Sequence, residues 1–155
     1  MKNKIFNHEE AIRQVRIWQQ QGLEVVFTNG CFDILHPGHV RYLEKSATLG
    51  DKLIVALNDD DSVKRLKGNE RPVNALADRM EVMAALCCVD AVTGFSEDTP
   101  FELISALIPD LITKGGDYKP ENVVGADIVE EAGGKVVIID FEAGYSTSSI
   151  LKKSK

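Results

Sequence analysis

The sequence lacks the features of a protein that is secreted or that sits in a membrane. Its N-terminus, MKNKIFNHEEAIRQ, has no apolar segment of the kind that signal peptides carry. No run approaches the roughly 18 consecutive apolar residues that a transmembrane helix needs. We therefore expect a cytoplasmic protein without membrane contacts.

The sequence also has few cysteines and fewer basic than acidic residues. Three cysteines occur among the 155 residues, and an odd count with Cys87 and Cys88 adjacent is a poor disulfide framework. The 18 lysines and arginines are outnumbered by 24 acidic residues, which gives a net charge of −6 at pH 7. Because no overall basic field attracts nucleic acid, we expect no nucleic-acid partner. An anionic ligand has to be met by a local cluster of cations and backbone N–H groups.

Three common motifs are missing as well. The chain has no G-x-x-x-x-G-K-[ST] segment, which excludes a P-loop, and no G-x-G-x-x-G segment after its first strand pattern, which argues against dinucleotide binding. It also lacks the G-x-S-x-G turn of the hydrolases, and Cys31 has no base and orienter of the protease type. A phosphate site, if present, has to be built in another way.

What the chain does contain is a regular alternation of strand and helix patterns. The apolar run 51–58 is typical of a strand buried on both faces, while Pro37 and Gly50 mark the start and end of a helix. Strands separated by helices predict an α/β fold: one doubly wound, Rossmann-like, five-stranded parallel sheet with helices on both faces, forming a single domain over 1–155. The predicted strands are 24–28, 51–58, 89–93, 110–113 and 135–140, and the predicted helices are 8–21, 37–49, 59–67, 75–88, 100–107, 125–132 and a last helix from 146.

The stretch NGCFDILHPGH, residues 29–39, follows the first predicted strand, where ligands bind in doubly wound sheets. His36 and His39 are three residues apart and share one helix face, and Pro37 suits the first helical turn. A helix N-terminus exposes unpaired N–H groups and partial positive charge, and Gly38 lets a phosphate approach the backbone. We predict an anion-binding mouth in which both histidines donate to phosphate oxygens.

Two other interpretations of the histidines stay open. A zinc site needs a third and usually a fourth ligand, and the remaining histidine, His8, is distant in the sequence, so we predict no metal site. The histidines can also simply cap or pack the helix. The density of Gly, Asn, Asp and His after a buried strand favours phosphate binding over both.

Four segments together resemble one family. NGCFDILHPGHVRYLEKSATLGD is similar to the H-x-G-H signature of the cytidylyltransferase-like nucleotidyltransferases. RPVNALADR, TKGGDYKPE and GYSTSSIL resemble, in the same order, the family's arginine segment, its K-G-x-D-[WY] segment and its I-S-T-[ST] segment. The resemblance therefore spans nearly the whole chain.

Within the family, the chain is most similar to the adenylyltransferase domain of ADP-heptose synthesis enzymes, which many bacteria fuse behind a sugar-kinase domain. This similarity lies in RLKGNERPVN, EDTPFELI, PDLITKGGDYKPE and FEAGYSTSSI. Glycerol-3-phosphate cytidylyltransferases carry an arginine in their R-Y-x-D-E-V and R-T-x-G-I-S-T-T segments, and this chain has none in LCCVDAV or FEAGYSTSS. We expect a stand-alone domain of the adenylyl branch.

The resemblance implies an enzyme that joins AMP from ATP to D-glycero-D-manno-heptose 1-phosphate, giving ADP-heptose for lipopolysaccharide and releasing pyrophosphate. It implies Mg²⁺ carried by the triphosphate, a homodimer, and work alongside a separate heptose kinase. Two alternatives stay open: transfer to another small phosphate, such as glycerol 3-phosphate or FMN, and a nucleotide-binding module without catalysis. The residues alone decide neither the acceptor nor ATP over CTP.

Because the acceptor phosphate is already an anionic nucleophile, positioning and charge stabilisation should dominate the chemistry. The resemblance implies four catalytic residues: His36, His39, Lys67 and Arg79. It implies nucleotide contacts from Asn29, Gly30, Cys31, Phe32, Gly38, Lys64, Lys114, Gly115, Asp117, Tyr118, Ser146, Thr147 and Ser148. Which of Lys64 and Lys67 contacts phosphate is left open, and Arg79 has a surface salt bridge as its alternative role. Asp33 is expected to support the loop and to orient a histidine.

Overall fold

The computed structural model describes residues 2–116, 118–140 and 144–154. Five strands and seven α-helices alternate along the described part of the chain. The strands are β1 (Val25–Gly30), β2 (Lys52–Asn58), β3 (Ala91–Phe95), β4 (Leu111–Gly115) and β5 (Lys135–Ile139). The helices are α1 (His8–Gln20), α2 (Pro37–Ala47), α3 (Asp60–Lys67), α4 (Leu76–Ala84), α5 (Phe101–Leu107), α6 (Ala126–Glu131) and α7 (Thr147–Ser154), with short 3₁₀ turns at Lys2–Lys4 and Pro120–Asn122.

The five strands form one parallel sheet in the order β3-β2-β1-β4-β5. The chain first winds outward from β1 to β3 and then returns to the other side of β1. This order confirms the predicted doubly wound, Rossmann-like sheet. The winding direction reverses between β1 and β4, and in such sheets ligands bind at that reversal, beyond the carboxyl ends of the strands.

Two apolar layers cover the faces of the sheet. Residues of β1 alternate between them: Val25 and Phe27 pack in the layer that contains α1, α5 and α6, whereas Val26 packs in the layer with α2 and α4. This alternation follows from the two-residue period of a strand. Because both faces are covered, the central strands are continuous apolar runs, as β2 shows. Ligands can therefore reach the sheet at the ends of its strands.

Most predicted boundaries differ from the structure by one to four residues: α2 ends at Ala47 rather than at residue 49, and β4 runs on to Gly115 rather than to residue 113. The first strand runs on to Gly30, so Asn29 and Gly30 belong to the end of β1 rather than to a loop. The fourth helix stops at Ala84, well before the predicted residue 88. β3 begins two residues late because Asp90 uses its carboxylate to accept from the Leu53 N–H, at 2.8 Å, at the start of the ladder.

Within residues 2–116, 118–140 and 144–154, no helix is both long enough and apolar enough to cross a bilayer.

Candidate active site

A cleft of about 760 Å³ opens at the carboxyl edge of the sheet, above β1 and β4. Most of the predicted site residues line it. They are His36, His39 and Lys67, together with Asn29, Gly30, Cys31, Phe32, Gly38, Lys114, Gly115, Tyr118, Ser146, Thr147 and Ser148. The structure places Lys64 and Arg79 elsewhere, and Asp117 lies outside the described residues. The topology therefore brings residues from four distant segments of the chain to one place.

His36 is the N-cap of α2, and its ring faces the ring of His39. The His36 backbone is extended (φ −137°, ψ 169°), and its Nδ1 accepts a hydrogen bond from the backbone N–H of His39 at 3.3 Å. Pro37 occupies the first turn, where it needs no N–H partner. The two imidazoles are stacked, with ring centroids 3.7 Å apart and planes 19° from parallel. With Pro-Gly between the histidines, α2 begins in such a way that the imidazole rings of His36 and His39 stack at its N-terminus.

The surroundings of both rings favour the neutral imidazole. Burial lowers the pKa of His36, and burial together with the nearby His36 lowers the pKa of His39 to about 4. Because Nδ1 of His36 accepts a hydrogen bond, the ring proton lies on Nε2, which is then a donor. Two charged rings at this separation would repel each other, so the stacked pair is suited to donate hydrogen bonds without carrying charge.

Phe32 forms a wall beside the histidine pair. Its ring meets His39 edge-on, with centroids 5.1 Å apart, and its backbone adopts φ +45°, which is uncommon for a residue with a side chain. Gly30 makes room for it, since a Cβ at Gly30 would lie 2.8 Å from the Phe32 ring. The positive φ turns the aromatic side chain back toward the end of β1, where it shields His39.

Gly38 has a packing role in addition to the predicted one. A Cβ at this position would lie 2.9 Å from Cβ of Tyr145 and 3.0 Å from two atoms of the His36 ring. The sequence suggested that Gly38 lets phosphate approach the helix. The structure adds that the missing side chain is what allows the His36 ring and Tyr145 to sit against the helix start.

Arg79 is not in the cleft, in contrast to its predicted contact with phosphate. Its side chain is 2% exposed and its guanidinium donates to the carbonyl oxygens of Asn74, Cys31 and Asn58 at 2.9, 2.9 and 2.8 Å. A fourth bond, of 2.8 Å, reaches Asp60 Oδ1. These bonds tie together the carboxyl ends of β1 and β2, so Arg79 supports the floor of the site. Arg79 does form an ion pair, with Asp60, but its own guanidinium is buried and not at the surface.

Arg71 lies at the cleft although the sequence did not single it out. Its Nε donates to Asp33 Oδ2 at 2.8 Å, and the same carboxylate accepts from the backbone N–H groups of Val73 and Asn74. Burial alone would raise the pKa of Asp33, but the bonds from Asn74, Val73 and Arg71 outweigh it and hold the pKa below its usual value. Asp33 supports the loop as expected. Its recorded partners are this arginine segment, however, and not a histidine.

The two lysines left open by the sequence are separated by the structure. Lys67, the last residue of α3, lines the cleft, whereas Lys64 is exposed and lies outside it. Lys114, near the end of β4, also lines it, with its ammonium 5.2 Å from the centre of the Tyr118 ring. Burial lowers the pKa of Lys114. The cleft therefore receives one ammonium group from the helix that follows β2 and one from β4, the strands on either side of β1.

The start of α7 closes the cleft near the histidines. Ser146 Oγ accepts from the Ser149 N–H at 3.0 Å, which is the cap that the sequence predicts. Thr147 Oγ1 donates to the Ile34 carbonyl at 3.0 Å, and this bond attaches α7 to the loop that leads into His36. The hydroxyls and the N–H groups at this helix start face the same cleft as the α2 N-terminus.

Sequence comparison identifies the family. The cytidylyltransferase-like family matches residues 27–152, a range that includes every described residue lining the cleft. The chain belongs to the cytidylyltransferase-like family. This result confirms the nucleotidyltransferase that the H-x-G-H stretch and the three later segments predicted.

Relatives of this cytidylyltransferase-like chain include larger proteins. The bifunctional protein HldE of Gluconacetobacter diazotrophicus is 59% identical over 144 residues, a match that covers 93% of this chain and 30% of that protein. HldE of Azorhizobium caulinodans is 54% identical over 151 residues, covering 97% of this chain and 32% of the other. The chain therefore spans about a third of the length of these relatives.

Solved structures share the fold. The lipopolysaccharide core biosynthesis protein from Thermoplasma volcanium GSS1 superposes with a TM-score of 0.62 at 31% identity, over 78% of this chain and 98% of that one. Pantoate-beta-alanine ligase from Francisella tularensis, complexed with beta-gamma ATP and beta-alanine, superposes with a TM-score of 0.63 at 15% identity, over 93% of this chain and 68% of that one. The second likeness shows the fold alone.

For a cytidylyltransferase-like protein, the composition of this cleft is informative. Among the described residues, two carboxylates line it: Asp33 is bound by three donors, and Asp98 pairs with Arg65 at 2.7 Å. Cys31 also lines it, and burial raises the pKa of its thiol. None of these groups is prepared to act as a base or a nucleophile, whereas hydrogen-bond donors and cations abound. The cleft is suited to bind and stabilise phosphate groups.

Proposed function

We propose that this chain is an adenylyltransferase that joins AMP from ATP to D-glycero-D-manno-heptose 1-phosphate, releasing pyrophosphate and forming ADP-heptose. The observation that carries the proposal is the stacked pair His36 and His39 at the N-terminus of α2, in a cleft of about 760 Å³ that Lys67 and Lys114 also line. The heptose branch is supported by the quoted sequence segments. It is also supported by relatives named HldE and by the Thermoplasma protein described as acting in lipopolysaccharide core biosynthesis.

In the proposed reaction an oxygen of the sugar phosphate attacks the α-phosphorus of ATP. The bond from that phosphorus to the bridging oxygen breaks, and pyrophosphate leaves with the electron pair. The nucleophile is already an anion, so no protein base has to remove a proton. Rate acceleration then comes from alignment and from donors aimed at the oxygens where charge increases, and removing one such donor costs on the order of 100-fold.

Each phosphate group of the substrates has its own proposed set of binding residues. His36 donates from Nε2, and the ring of His39 stacked on it provides the second donor to the α- and β-phosphates. Lys67 neutralises the phosphates that leave, and Lys114 binds the acceptor phosphate. The hydroxyls at the start of α7 hold the β- and γ-phosphates, an arrangement that helix N-termini favour.

Several further properties belong to the proposal. Mg²⁺ arrives with the triphosphate as part of the substrate, bound mainly by phosphate oxygens and water. The reaction takes place in the cytoplasm, catalysed by residues 1–155 as one domain. The protein acts as a homodimer, and it works alongside a separate heptose kinase that supplies the sugar 1-phosphate.

A matrix of nucleotides against acceptors tests the proposal. The purified protein is incubated with ATP, CTP, GTP or UTP and with heptose 1-phosphate, glycerol 3-phosphate or FMN, and pyrophosphate release is measured. We expect the fastest release with ATP and heptose 1-phosphate. A preference for CTP or for another acceptor would contradict the branch. ATP binding without pyrophosphate release for any acceptor would instead indicate a binding module without catalysis.

A further inference from the structure

Four hydroxyl groups form a largely buried cluster at the floor of the cleft, where β1, β4 and α2 meet; Tyr42 is half-buried and itself lines the cleft. Thr28 lies in β1, Tyr42 and Ser46 lie in α2, and Thr113 lies in β4. The Tyr42 hydroxyl is 2.8 Å from Thr28 Oγ1 and 3.2 Å from Thr113 Oγ1, and Ser46 Oγ is 2.9 Å from the same Thr113 oxygen. Both threonines and Ser46 have no exposed surface. Because each hydroxyl can donate and accept, the groups satisfy one another away from water.

The cluster begins where the pairing between β1 and β4 ends. The ladder of β1 with β4 stops at Phe27 and Ile112, whereas β1 stays paired with β2 as far as Gly30. Thr28 and Thr113 are the next residues along the two strands, and Thr28 Oγ1 donates to the Thr113 carbonyl at 3.2 Å. Side chains therefore connect the two strands at the point where they separate to open the cleft, and Tyr42 reaches that point from the helix.

Each segment that leaves the cluster carries a group of the candidate active site. Asn29 directly follows Thr28 in β1, and Lys114 directly follows Thr113 in β4; both Asn29 and Lys114 line the cleft. In α2, His39 lies three residues before Tyr42 and so shares its helix face. The hydroxyl of Tyr42 is thus one helical turn from the histidine pair and contacts the strands that carry the other phosphate-binding candidates.

We infer that Tyr42 is a positioning residue, whose hydroxyl fixes the N-terminus of α2, with its histidines, relative to Asn29 and Lys114. The inference rests on the proposed function for its kinetic consequence, since it concerns alignment for nucleotidyl transfer. The ring of Tyr42 packs in the apolar layer of α2, and its hydroxyl adds polar contacts to Thr28 and Thr113 that a phenylalanine would lack. Burial raises the pKa of Tyr42, so the hydroxyl keeps its proton at neutral pH.

The first test is kinetic and compares two single hydroxyl deletions. Tyr42→Phe keeps the ring and removes the link, and we expect kcat to fall about tenfold with the KM for ATP nearly unchanged, because a misplacement well under 1 Å already slows an aligned reaction. Thr48→Val is the matched control, since it removes an exposed hydroxyl at the C-terminal end of α2, which donates to the Lys45 carbonyl, and leaves the buried cluster intact. We expect its kcat to stay within about twofold of wild type.

A second variant keeps the inference testable if Tyr42→Phe folds poorly. Thr113→Val has nearly the same shape and removes the hydroxyl that Tyr42 contacts in β4. We expect it to slow turnover in the same way, and the double variant to be no slower than the slower single one, because both changes break the same link. Rate losses that multiply in the double variant would show independent effects and would overturn the inference.

A spectroscopic measurement on the full chain separates this inference from the proposed function. The imidazole ¹⁵N and ¹H signals of the three histidines are compared between wild type and Tyr42→Phe, with His8, remote from the cluster, as the internal reference. We expect the His39 signals to move and those of His8 to stay. Absence of turnover in the wild type would defeat the proposed function, while the signals still decide the role of Tyr42. Three results would each contradict a positioning role: unchanged His39 signals, a wild-type kcat in Tyr42→Phe, or equal kcat losses in Tyr42→Phe and Thr48→Val.

Discussion

The substitution Gly38→Ala tests the geometry of the histidine pair. An added Cβ would lie 3.0 Å from the Cε1 and Nδ1 atoms of His36 and 2.9 Å from Cβ of Tyr145. Carbon atoms in contact prefer separations of about 3.5–4.0 Å, so the ring or the helix start has to move by roughly 0.5–1 Å. The bond from the His39 N–H to His36 Nδ1 is already 3.3 Å long, and a shift of this size breaks it.

The expected loss is in rate and not in stability. Displacing a reacting or binding group by about 1 Å can cost about 100-fold, so we expect kcat to fall about 10- to 100-fold in Gly38→Ala. Alanine in place of glycine inside a helix contributes roughly 0.5–1 kcal/mol, and losing the N-cap bond costs about 1 kcal/mol. These two effects nearly cancel, so the free energy of unfolding should change little.

The assay measures pyrophosphate release and urea unfolding on the same preparations. Gly50→Ala is the matched control, because a Cβ there would lie 2.7 Å from Val26 Cγ2 and 3.0 Å from the Glu24 carbonyl oxygen, beyond the other end of the helix. We expect this control to lose stability while keeping its rate per folded molecule. Wild-type kcat in Gly38→Ala would refute the view that the packing at this glycine positions the His36 ring.

Three further predictions concern the lysines, the buried arginine and the histidine titration. Lys67→Ala should lower kcat by about 100-fold, as expected for a lost phosphate donor, while Lys64→Ala, outside the cleft, should stay near wild type in the same assay. Arg79→Met should lower the free energy of unfolding by about 3–5 kcal/mol in urea titrations, because it breaks a buried network; an unaltered midpoint would contradict the supporting role. The lowered pKa of His36 and the His39 pKa of about 4 mean that the unfolded chain binds more protons than the folded one below pH 6.5. Stability should therefore be lost as pH falls from 6.5 toward 4, and His39→Asn should show a smaller loss over that window.

The fold was predictable because its signals are local and repeated. Strand β2 appears in the sequence as an apolar run, and α2 begins at Pro37 and ends shortly before Gly50. Each alternation of strand and helix adds the same topological constraint, so an error of a few residues at one boundary leaves the sheet unchanged. The late start of β3 is such an error, since it depends on a side chain of Asp90 that competes for a ladder N–H group.

The candidate site was predictable only in part. His36 and His39 are revealed by their spacing around Pro-Gly at a helix start, which depends on neighbouring residues alone. The placement of Arg79 in the floor of the site, and of Arg71 at the cleft, depends on where two distant strands end and on which carboxylate each arginine meets. The family segment contains both arginines, and the sequence offers no local signal to tell them apart.

The contribution of Tyr42 is also invisible in the sequence. A tyrosine one turn after a histidine looks like an ordinary apolar helix position, and its side chain does pack in the apolar layer. Its link to Thr28 and Thr113 arises only because the β1–β4 ladder ends beside them. A sequence signal exists only in retrospect: a threonine in each of two strands, directly before Asn29 and Lys114.

The fate of the phosphates of ATP is the measurement that tests the central claim most directly. The protein is incubated with heptose 1-phosphate and with ATP labelled with ³²P at either the α or the γ position, and the products are separated by chromatography. Nucleotidyl transfer predicts that the α label appears in the nucleotide sugar and the γ label in pyrophosphate. Transfer of the γ label to the sugar, or release of the γ label as free phosphate without a nucleotide sugar, would contradict it.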